Sequence, residues 1–338
     1  MKYSMLALVF VALPGLVFGQ EIPDMTRGVV DAHILPRFET LAQQSKHLAN
    51  TAHADCRTKS PQLRTAYTKA FDAWLATAHL RFGPTEVNNR GFALAFWPDR
   101  RGTTPKALAA LIKTQDPIIQ TAKAYAEVSV AARGFYALEF LIYDPALSVA
   151  KDSNYHCKLL QALTKDIEYT TASIHADWKF NYAKLLTTPS DKGPYRSHNE
   201  AVQELFKALS TGLQFTSDSR LGRPLGTFDR PRPRRAEVWR SGRSSRHVKG
   251  SLSALRDLAV RLAPADSNLT KKLAFAFDHA LLKLARLNDP VFAGVAAPQT
   301  RIKVQIVQQS VDEIRRIIRE DLGPKLGVSA GFNAMDGD

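Results

Sequence analysis

The sequence predicts an all-α protein built from two antiparallel helical bundles. Apolar residues recur three or four positions apart in both halves of the chain, which places them on one face of a helix. We find no convincing strand. The apolar stripes behind this prediction are Val29, Ile34, Phe38 and Leu41; Leu63, Tyr67, Ala70 and Trp74; Leu273, Phe277, Leu281 and Leu284; and Val304, Val307, Val311, Ile314 and Ile318.

Proline and glycine mark where the predicted helices begin and end. Ser60-Pro61 and Asp116-Pro117 suit helix starts, because Ser or Asp caps the N-terminus and proline fits the first helical position. The breaks leave roughly four long helical segments in each half, the number that an antiparallel bundle needs. Further breaks are predicted at Gly83-Pro84, Gly102 to Pro105, Asp144-Pro145 and Asp289-Pro290.

The stretch from Pro189 to Pro194 divides the chain into similar halves. We therefore expect an N-terminal bundle over residues 20–190 and a C-terminal bundle over residues 191–330. The segment from Thr216 to Arg235 is rich in Gly, Pro and Arg and is predicted to be an irregular connection. Loops of this length are uncommon unless they are functional or disordered, so we expect this one to help shape a site near Glu237.

Residues 1–19 are typical of a secretory signal. Lys2 supplies a basic start, the stretch from Met5 to Phe18 is mostly apolar, and Gly19 is a small residue at an acceptable cleavage site. The apolar stretch is too short to span a bilayer comfortably, and no later segment reaches about 18 apolar residues. We therefore expect an exported chain that does not span a membrane after cleavage and that lies in the periplasm of a Gram-negative cell.

Cys56 and Cys157 are the two cysteines of the chain. In an oxidising compartment two cysteines indicate one disulfide, and the alternative is two separate buried thiols. Cys56 ends the first predicted long helix and Cys157 begins another, so a bond between them would join one end of a bundle. Two cysteines are too few for a cysteine-rich zinc site.

Glu139 is the one ionisable acid in an apolar and aromatic run from Gly134 to Tyr143. If this run is a buried helix, the carboxyl must be paired, protonated or bound to a cation, because an isolated buried carboxylate is very costly. Tyr136 lies three residues earlier and shares its helix face. The pair predicts a ligand or proton-handling site, and the alternative is a glutamate that is salt-bridged to an arginine from a neighbouring helix.

Several segments, in order, resemble the imelysin family. Gly134, Tyr136 and Glu139 match its Gly-x-His-x-x-Glu motif, with Tyr136 in the histidine position. The resemblance implies two helical bundles related by internal duplication, and it extends over nearly the whole chain after the signal. The other matching segments are Ala70 to Trp74 followed by Arg81 to Pro84, Tyr155 to Cys157, Arg223 to Gly226, and Ala236 to Ser244.

The family's histidine and glutamate were proposed as metal ligands, so the resemblance implies iron or another divalent metal as a candidate cofactor. It also implies a metal-dependent peptidase as one candidate activity. Here Tyr136 replaces the histidine, and a neutral phenol is a poor ligand for zinc. A zinc peptidase needs about three protein ligands and an activated water, and the chain lacks His-Glu-x-x-His. The sequence therefore favours binding over catalysis.

A second polar group lies in the other half of the chain. At helical spacing Glu237, Arg240, Ser241 and Ser244 share one face, where they would coordinate an oxyanion or complement Glu139 across the bundle interface. The alternative is a capped helix start with a solvated polar face.

Three further residues are candidate partners of Glu139. Arg81 or Arg240 would neutralise its carboxylate. His33 would supply the imidazole that is missing at position 136, which makes Glu139 and His33 the candidate metal ligands. The alternative for His33 is a surface position or a satisfied place in the core.

The chain carries a formal net charge of +14, and much of the excess lies between Arg220 and Lys249. Such a cluster can bind nucleic acid, anionic lipid or acidic ligands. Export, together with the lack of a recognised nucleic-acid module, argues against a nucleic-acid partner. The alternative for Arg230 to Arg235 is ordinary solvated surface charge.

Members of the imelysin family often accompany iron-acquisition systems. The resemblance therefore implies an exported binding or accessory protein in periplasmic metal uptake, with periplasmic or outer-membrane iron-uptake components as its partners. Two alternatives stay open at this point. One is the metal-dependent peptidase, and the other is a helical scaffold that binds a membrane partner through the arginine-rich segment.

Overall fold

The computed structural model describes residues 18–148, 153–263 and 267–328. Within these ranges the chain forms helices and turns, and its extended pairing is limited to one isolated bridge between Thr227 and Arg230. The all-α prediction is therefore confirmed. None of the described helices is both long and apolar enough to cross a membrane. Residues 1–17 of the predicted signal lie outside the described residues, so the signal stays a prediction.

The first half of the chain is built around α2, which packs against α3 and α9. Two π-helical turns, Val30–Ile34 and Trp178–Tyr182, join α1 to α2 and α9 to α10. The helices of this half are α1 (Phe18–Val29), α2 (Leu35–Ala54), α3 (Pro61–Leu75), α4 (Arg90–Leu94), α5 (Thr103–Thr114), α6 (Ala122–Tyr125), α7 (Gly134–Tyr143), α8 (Pro145–Ser148), α9 (Ser153–Asp177) and α10 (Ala183–Thr187). Short 3₁₀ turns occur at Gly83–Thr85, Val87–Asn89, Pro117–Gln120 and Val130–Ala132.

The second half is built around α14, which packs against α13 and α15. Two further π-helical turns, Phe215–Leu221 and Ile318–Leu322, join α11 to α12 and α15 to α16. The helices are α11 (His198–Gln214), α12 (Gly222–Leu225), α13 (Ser244–Leu262), α14 (Ser267–Leu287), α15 (Pro298–Ile317) and α16 (Gly323–Leu326). Short 3₁₀ turns occur at Pro233–Arg235 and Ala293–Ala296.

The connection predicted over residues 216–235 is only partly irregular. Helix α11 continues through the π-helical turn into α12 and ends at Leu225. Leu221 and Leu225 are buried, so packing of these side chains keeps the segment helical where its composition predicted a loop. The irregular part runs from Gly226 to the start of α13.

Two predicted helix starts have the expected caps. The Ser60 hydroxyl accepts a hydrogen bond from the backbone N–H of Leu63, with Pro61 at the first position of α3. The Asp116 carboxylate likewise accepts from the N–H of Ile118, at the start of a single 3₁₀ turn. The cap is therefore the same in both places, whereas the length of the helix that follows depends on packing.

The buried apolar residues form one cluster that extends across both halves. Helix α1 packs against α11 and α13, and α3 also contacts α13. Large aromatic side chains fill the first half, where Phe38 stacks on Trp178 with ring centroids 5.5 Å apart. The halves are thus joined by a broad apolar interface. The division near Pro189 to Pro194 and the internal duplication stay predictions.

Cys56 and Cys157 form a disulfide, with their Cα atoms 5.3 Å apart. Cys56 lies just after α2 and Cys157 lies near the start of α9, so the bond joins one end of this packed helix pair. The predicted pairing is confirmed, and the alternative of two free thiols is excluded.

Candidate functional site

Helix α7 begins at Gly134, a position that leaves no room for a side chain. Its φ angle is +72°, in the region that favours glycine. An added Cβ would lie 2.3 Å from the carbonyl oxygens of both Ala93 and Leu94. The backbone at the end of α4 therefore packs directly against this position. The glycine fixes the start of α7 and, through it, the directions of Tyr136 and Glu139.

Tyr136 belongs to a buried network that crosses between the halves of the chain. Its hydroxyl donates a hydrogen bond to the Glu237 carboxylate. The other carboxylate oxygen accepts from Nε of Arg220 at 2.7 Å. Burial and the nearby Glu237 carboxylate raise the pKa of Tyr136 well above its usual value, so the phenol stays neutral and acts as the donor.

Glu237 is ionised in this network. Burial alone would raise the pKa of its carboxyl, but the charge of Arg220, the nearby His247 imidazole and the hydrogen bond from Tyr136 outweigh it and lower the pKa to about 2. The Ser244 hydroxyl donates to the Glu237 backbone carbonyl at 2.6 Å and so ties the residue to the start of α13. Glu237 is therefore ionised near neutral pH and held in a fixed position.

Glu139 is the contrasting acid. It is 2% exposed, and its carboxylate accepts hydrogen bonds from the backbone N–H and the hydroxyl of Ser241, at 2.9 and 2.7 Å. Burial raises its pKa to about 7, and the Ser241 hydrogen bonds and the charge of Arg240 oppose this only in part. Two carboxyls of one site thus differ in protonation near neutral pH, as in sites that handle protons.

The cationic partners predicted for Glu139 pair with other acids. Arg81 forms an ion pair with Glu86, five residues along the chain, which makes the expected neutralisation of Glu139 by Arg81 wrong. The Arg240 guanidinium donates to Asp144 at 2.7 Å and influences Glu139 only through its charge. Each arginine instead pairs with another acid, and one oxygen of Glu139 accepts both hydrogen bonds from Ser241.

The residues from Glu237 to Ser244 do not form the predicted helix face. They form a turn, in which Val238 has a φ angle of +47°, and α13 begins only at Ser244. The turn gives the residues of this group different partners on α7: Glu237 binds Tyr136, whereas Ser241 binds Glu139. The predicted encounter of this group with α7 is present, but it comes from a turn and not from helical spacing.

His33 lies in the π-helical turn between α1 and α2 and is fully buried. Its Nδ1–H donates to the Asp257 carboxylate at 2.7 Å, which leaves Nε2 to accept from Nε2–H of His79 at 2.9 Å. Burial lowers the pKa of His33 to about 4, so the imidazole is neutral. The structure thus gives His33 and Glu139 different partners and does not bring them together as metal ligands.

A cavity of about 390 Å³, which we call the inner cavity, lies beside this network. Its wall combines the Tyr136 ring with His79, Arg220 and Ser251, and with the indoles of Trp74 and Trp97. A mostly apolar cavity with a few converging polar groups is the usual form of a small-molecule site.

A second cavity, of about 360 Å³, shares Tyr136 with the inner cavity and also contacts Glu139. We call it the arginine cavity, because Arg223, Arg234, Arg235 and Arg240 line it. Trp97 and Tyr136 face both cavities. A ligand in either one would therefore contact the tyrosine that replaces the motif's histidine.

A resident divalent metal does not fit the residues present. Over the described ranges, no three His, Cys, Asp or Glu side chains converge in a way that could hold a metal ion. Tyr136 is a neutral donor to Glu237, and both oxygens of Glu237 are engaged. The predicted ligand pair of Glu139 and His33 therefore lacks both the third ligand and the proximity that a bound metal needs.

Sequence reasoning missed three residues of the site. Arg220 and His247 surround Glu237, and His79 presents an imidazole to the inner cavity. His79 lies two residues before Arg81, at the edge of a segment that resembles the family, and Arg220 lies in the π-helical turn. Such turns often occur at functional sites, but sequence does not reveal where they form.

Comparison with known proteins agrees with this architecture. The sequence profile of the imelysin family, peptidase M75, matches residues 34–318. The chain belongs to the imelysin family. The resemblance predicted from Gly134, Tyr136 and Glu139 is thereby confirmed. Comparison with functionally curated proteins gave no significant match.

Two solved structures share this imelysin fold. An imelysin-like protein from Psychrobacter arcticum 273-4 superposes with a TM-score of 0.77 at 20% identity, over 93% of this chain and 98% of that one. A candidate iron-regulated protein A precursor from Parabacteroides distasonis ATCC 8503 superposes with a TM-score of 0.71 at 12% identity, over 88% of this chain and 94% of that one. At these identities the likeness concerns the fold.

Proposed function

We propose that this imelysin-family chain is an exported, non-catalytic binding protein of periplasmic metal acquisition, with iron as its principal metal. The proposal rests on the network in which Tyr136 donates a hydrogen bond to one carboxylate oxygen of Glu237 and Arg220 donates to the other. Where a peptidase would need an open metal position, this chain has a locked, fully paired group beside two cavities. The name of the structural relative from Parabacteroides distasonis supports an iron-related setting for the fold.

The binding proposal assigns roles to the cavity walls. Trp74 and Trp97 supply apolar contact area, whereas Tyr136, His79 and Arg220 supply fixed polar contacts. Because His33 accepts from His79 Nε2–H, the Nδ1 atom of His79 carries the lone pair that can accept a hydrogen bond from a ligand. Since no three His, Cys, Asp or Glu side chains of the described residues converge to hold a bare divalent cation, we propose that iron is bound as part of a complex.

The rival function is the metal-dependent peptidase. Its supporting observation is Glu139, whose pKa of about 7 suits a general base. A base alone is insufficient, since hydrolysis by a zinc peptidase also needs a metal that is held by several ligands.

The partners that we propose for the binding protein are periplasmic or outer-membrane iron-uptake components.

The test uses the mature chain purified without chelator. We expect ferric chelates to change the tryptophan fluorescence, since Trp97 faces both cavities. Tyr136→Phe should weaken this response, and the matched control Tyr169→Phe should not, because Tyr169 is 69% exposed on α9. Cleavage of denatured protein that requires added Zn²⁺, Mn²⁺ or Fe²⁺ and is abolished by Glu139→Gln would overturn the proposal and restore the peptidase.

A further inference from the structure

The arginine cavity holds more positive charge than its surroundings neutralise. Arg240 is paired with Asp144. Among the described residues, no carboxylate forms an ion pair with Arg223, Arg234 or Arg235. Clefts that are lined by charge of one sign concentrate ligands of the other sign.

Arg223 is a residue of the cavity wall that has an unpaired donor. Its Nε atom is buried and has no hydrogen-bond partner in the described chain. A buried donor without an acceptor costs about 1–3 kcal/mol, and more when the group is charged. The arginine reaches the cavity from α12, where its guanidinium lies 5.6 Å from the Trp97 ring centroid.

Aromatic rings support two further guanidinium groups of the cavity wall. Arg240 lies 3.9 Å from the Phe140 centroid, and Arg234 lies 5.8 Å from the Trp239 centroid. A ring supports the face of a guanidinium and leaves its N–H edge free for an oxyanion. The ring beside Arg234 therefore orients donors without consuming them, whereas Arg240 already donates to Asp144.

The two acids of the cavity wall accept hydrogen bonds from groups other than the arginines. The Asp99 carboxylate accepts from the backbone N–H groups of Thr103 and Thr104, at 2.9 and 2.8 Å, and so caps the start of α5. Glu139 is bound to Ser241. Neither acid pairs with an arginine of the wall, so the excess of positive charge is available to a ligand.

We infer that the arginine cavity binds a small oxyanion with two or more negative charges, of the carboxylate or phosphate type, either free or as the chelating ligand of a ferric ion. One guanidinium can donate two parallel N–H hydrogen bonds to two oxygens of a carboxylate or a phosphate. The inference rests on the proposed function for its biological setting, and it names the class of ligand that this binding protein takes.

The experiment is calorimetric titration of the mature chain with citrate, ferric citrate and inorganic phosphate at constant ionic strength. The variant is Arg223→Gln with Arg235→Gln. The matched control is Arg230→Gln with Arg286→Gln, which removes the same charge from exposed positions that do not line the cavity. Thermal unfolding of both variants confirms that they fold.

We expect at least one of the three probes to bind the wild type and the control, and to lose about tenfold or more in affinity in the cavity variant. Failure of all three to bind, or an equal loss in the control, would overturn the inference. Binding of citrate or phosphate without ferric citrate would support the oxyanion site while contradicting the iron role, so the two proposals fail separately.

Discussion

Glu139→Gln should stabilise the folded chain at alkaline pH. The amide keeps an oxygen that can accept from Ser241 and removes the charge that burial opposes. Because burial raises the pKa of Glu139, the folded state holds this proton more tightly than the unfolded state does. Its contribution to stability is therefore present below pH 4.5, the ordinary value, and is lost as the pH rises through about 7.

The magnitude follows from the two pKa values. The interval between 4.5 and about 7 corresponds to about 3 kcal/mol at ~1.4 kcal/mol per pH unit. Most of this change, ~2–3 kcal/mol, falls between pH 5 and pH 8. We therefore expect the free energy of unfolding of the variant, relative to the wild type, to rise by that amount over this range.

Other groups near Glu139 do not obscure the effect. Burial raises the pKa of Tyr67 and of Tyr143, and Glu237 has a pKa of about 2, so none of them titrates between pH 5 and pH 8. Burial lowers the pKa of His33 to about 4, so its contribution to the stability of the folded chain falls as the pH falls. This change is the same in both proteins. The difference between the proteins isolates Glu139.

The assay is urea unfolding of both proteins at pH 5, 6, 7 and 8. Glu127→Gln is the control, because it makes the same substitution at an exposed position. If the difference between Glu139→Gln and the wild type is the same at all four pH values, the raised pKa is wrong, and so is the assignment of Glu139 as a proton-handling acid.

Three further predictions concern stability. Replacing Cys56 and Cys157 by serine should lower the free energy of unfolding by about 4–5 kcal/mol, because the bond closes a loop of 101 residues; equal denaturation midpoints of the oxidised and reduced wild type would contradict this. Gly134→Ala should cost more than about 2 kcal/mol or prevent folding, since the backbone before it leaves no room for Cβ, and a thermal midpoint within a degree of the wild type would contradict the close packing. Tyr136→Phe should cost about 1–3 kcal/mol in urea unfolding by depriving Glu237 of a buried donor; an unchanged midpoint would show that Arg220 satisfies the carboxylate alone.

Much of the fold was predictable because its signals are local. The apolar stripes and the Ser60 cap depend on residues within a few positions of each other, and the structure places them as predicted. The loop predicted over residues 216–235 failed for the opposite reason. Its composition favours a loop, but buried contacts of Leu221 and Leu225 with distant helices extend the helix.

The site was predictable in part. An acid within an apolar run was expected to be buried with a polar partner, and Glu139 is buried and accepts hydrogen bonds from Ser241. The group expected to complement Glu139 included Ser241, which lies 102 residues away, but the sequence did not single Ser241 out from the candidate arginines. Arg81 was the wrong choice because the chain turns after it and brings Glu86 within reach.

The sequence by itself determined the helical class, the helix starts, the single disulfide and the burial of Glu139. Each follows from side-chain chemistry over a few residues or from a count of two cysteines. Only the tertiary structure decided which donors meet the buried acids, that His79 and not His33 faces the inner cavity, and that unpaired arginines line a second cavity. These outcomes depend on which residues meet across about 100 positions of chain, and periodicity carries no information about such encounters.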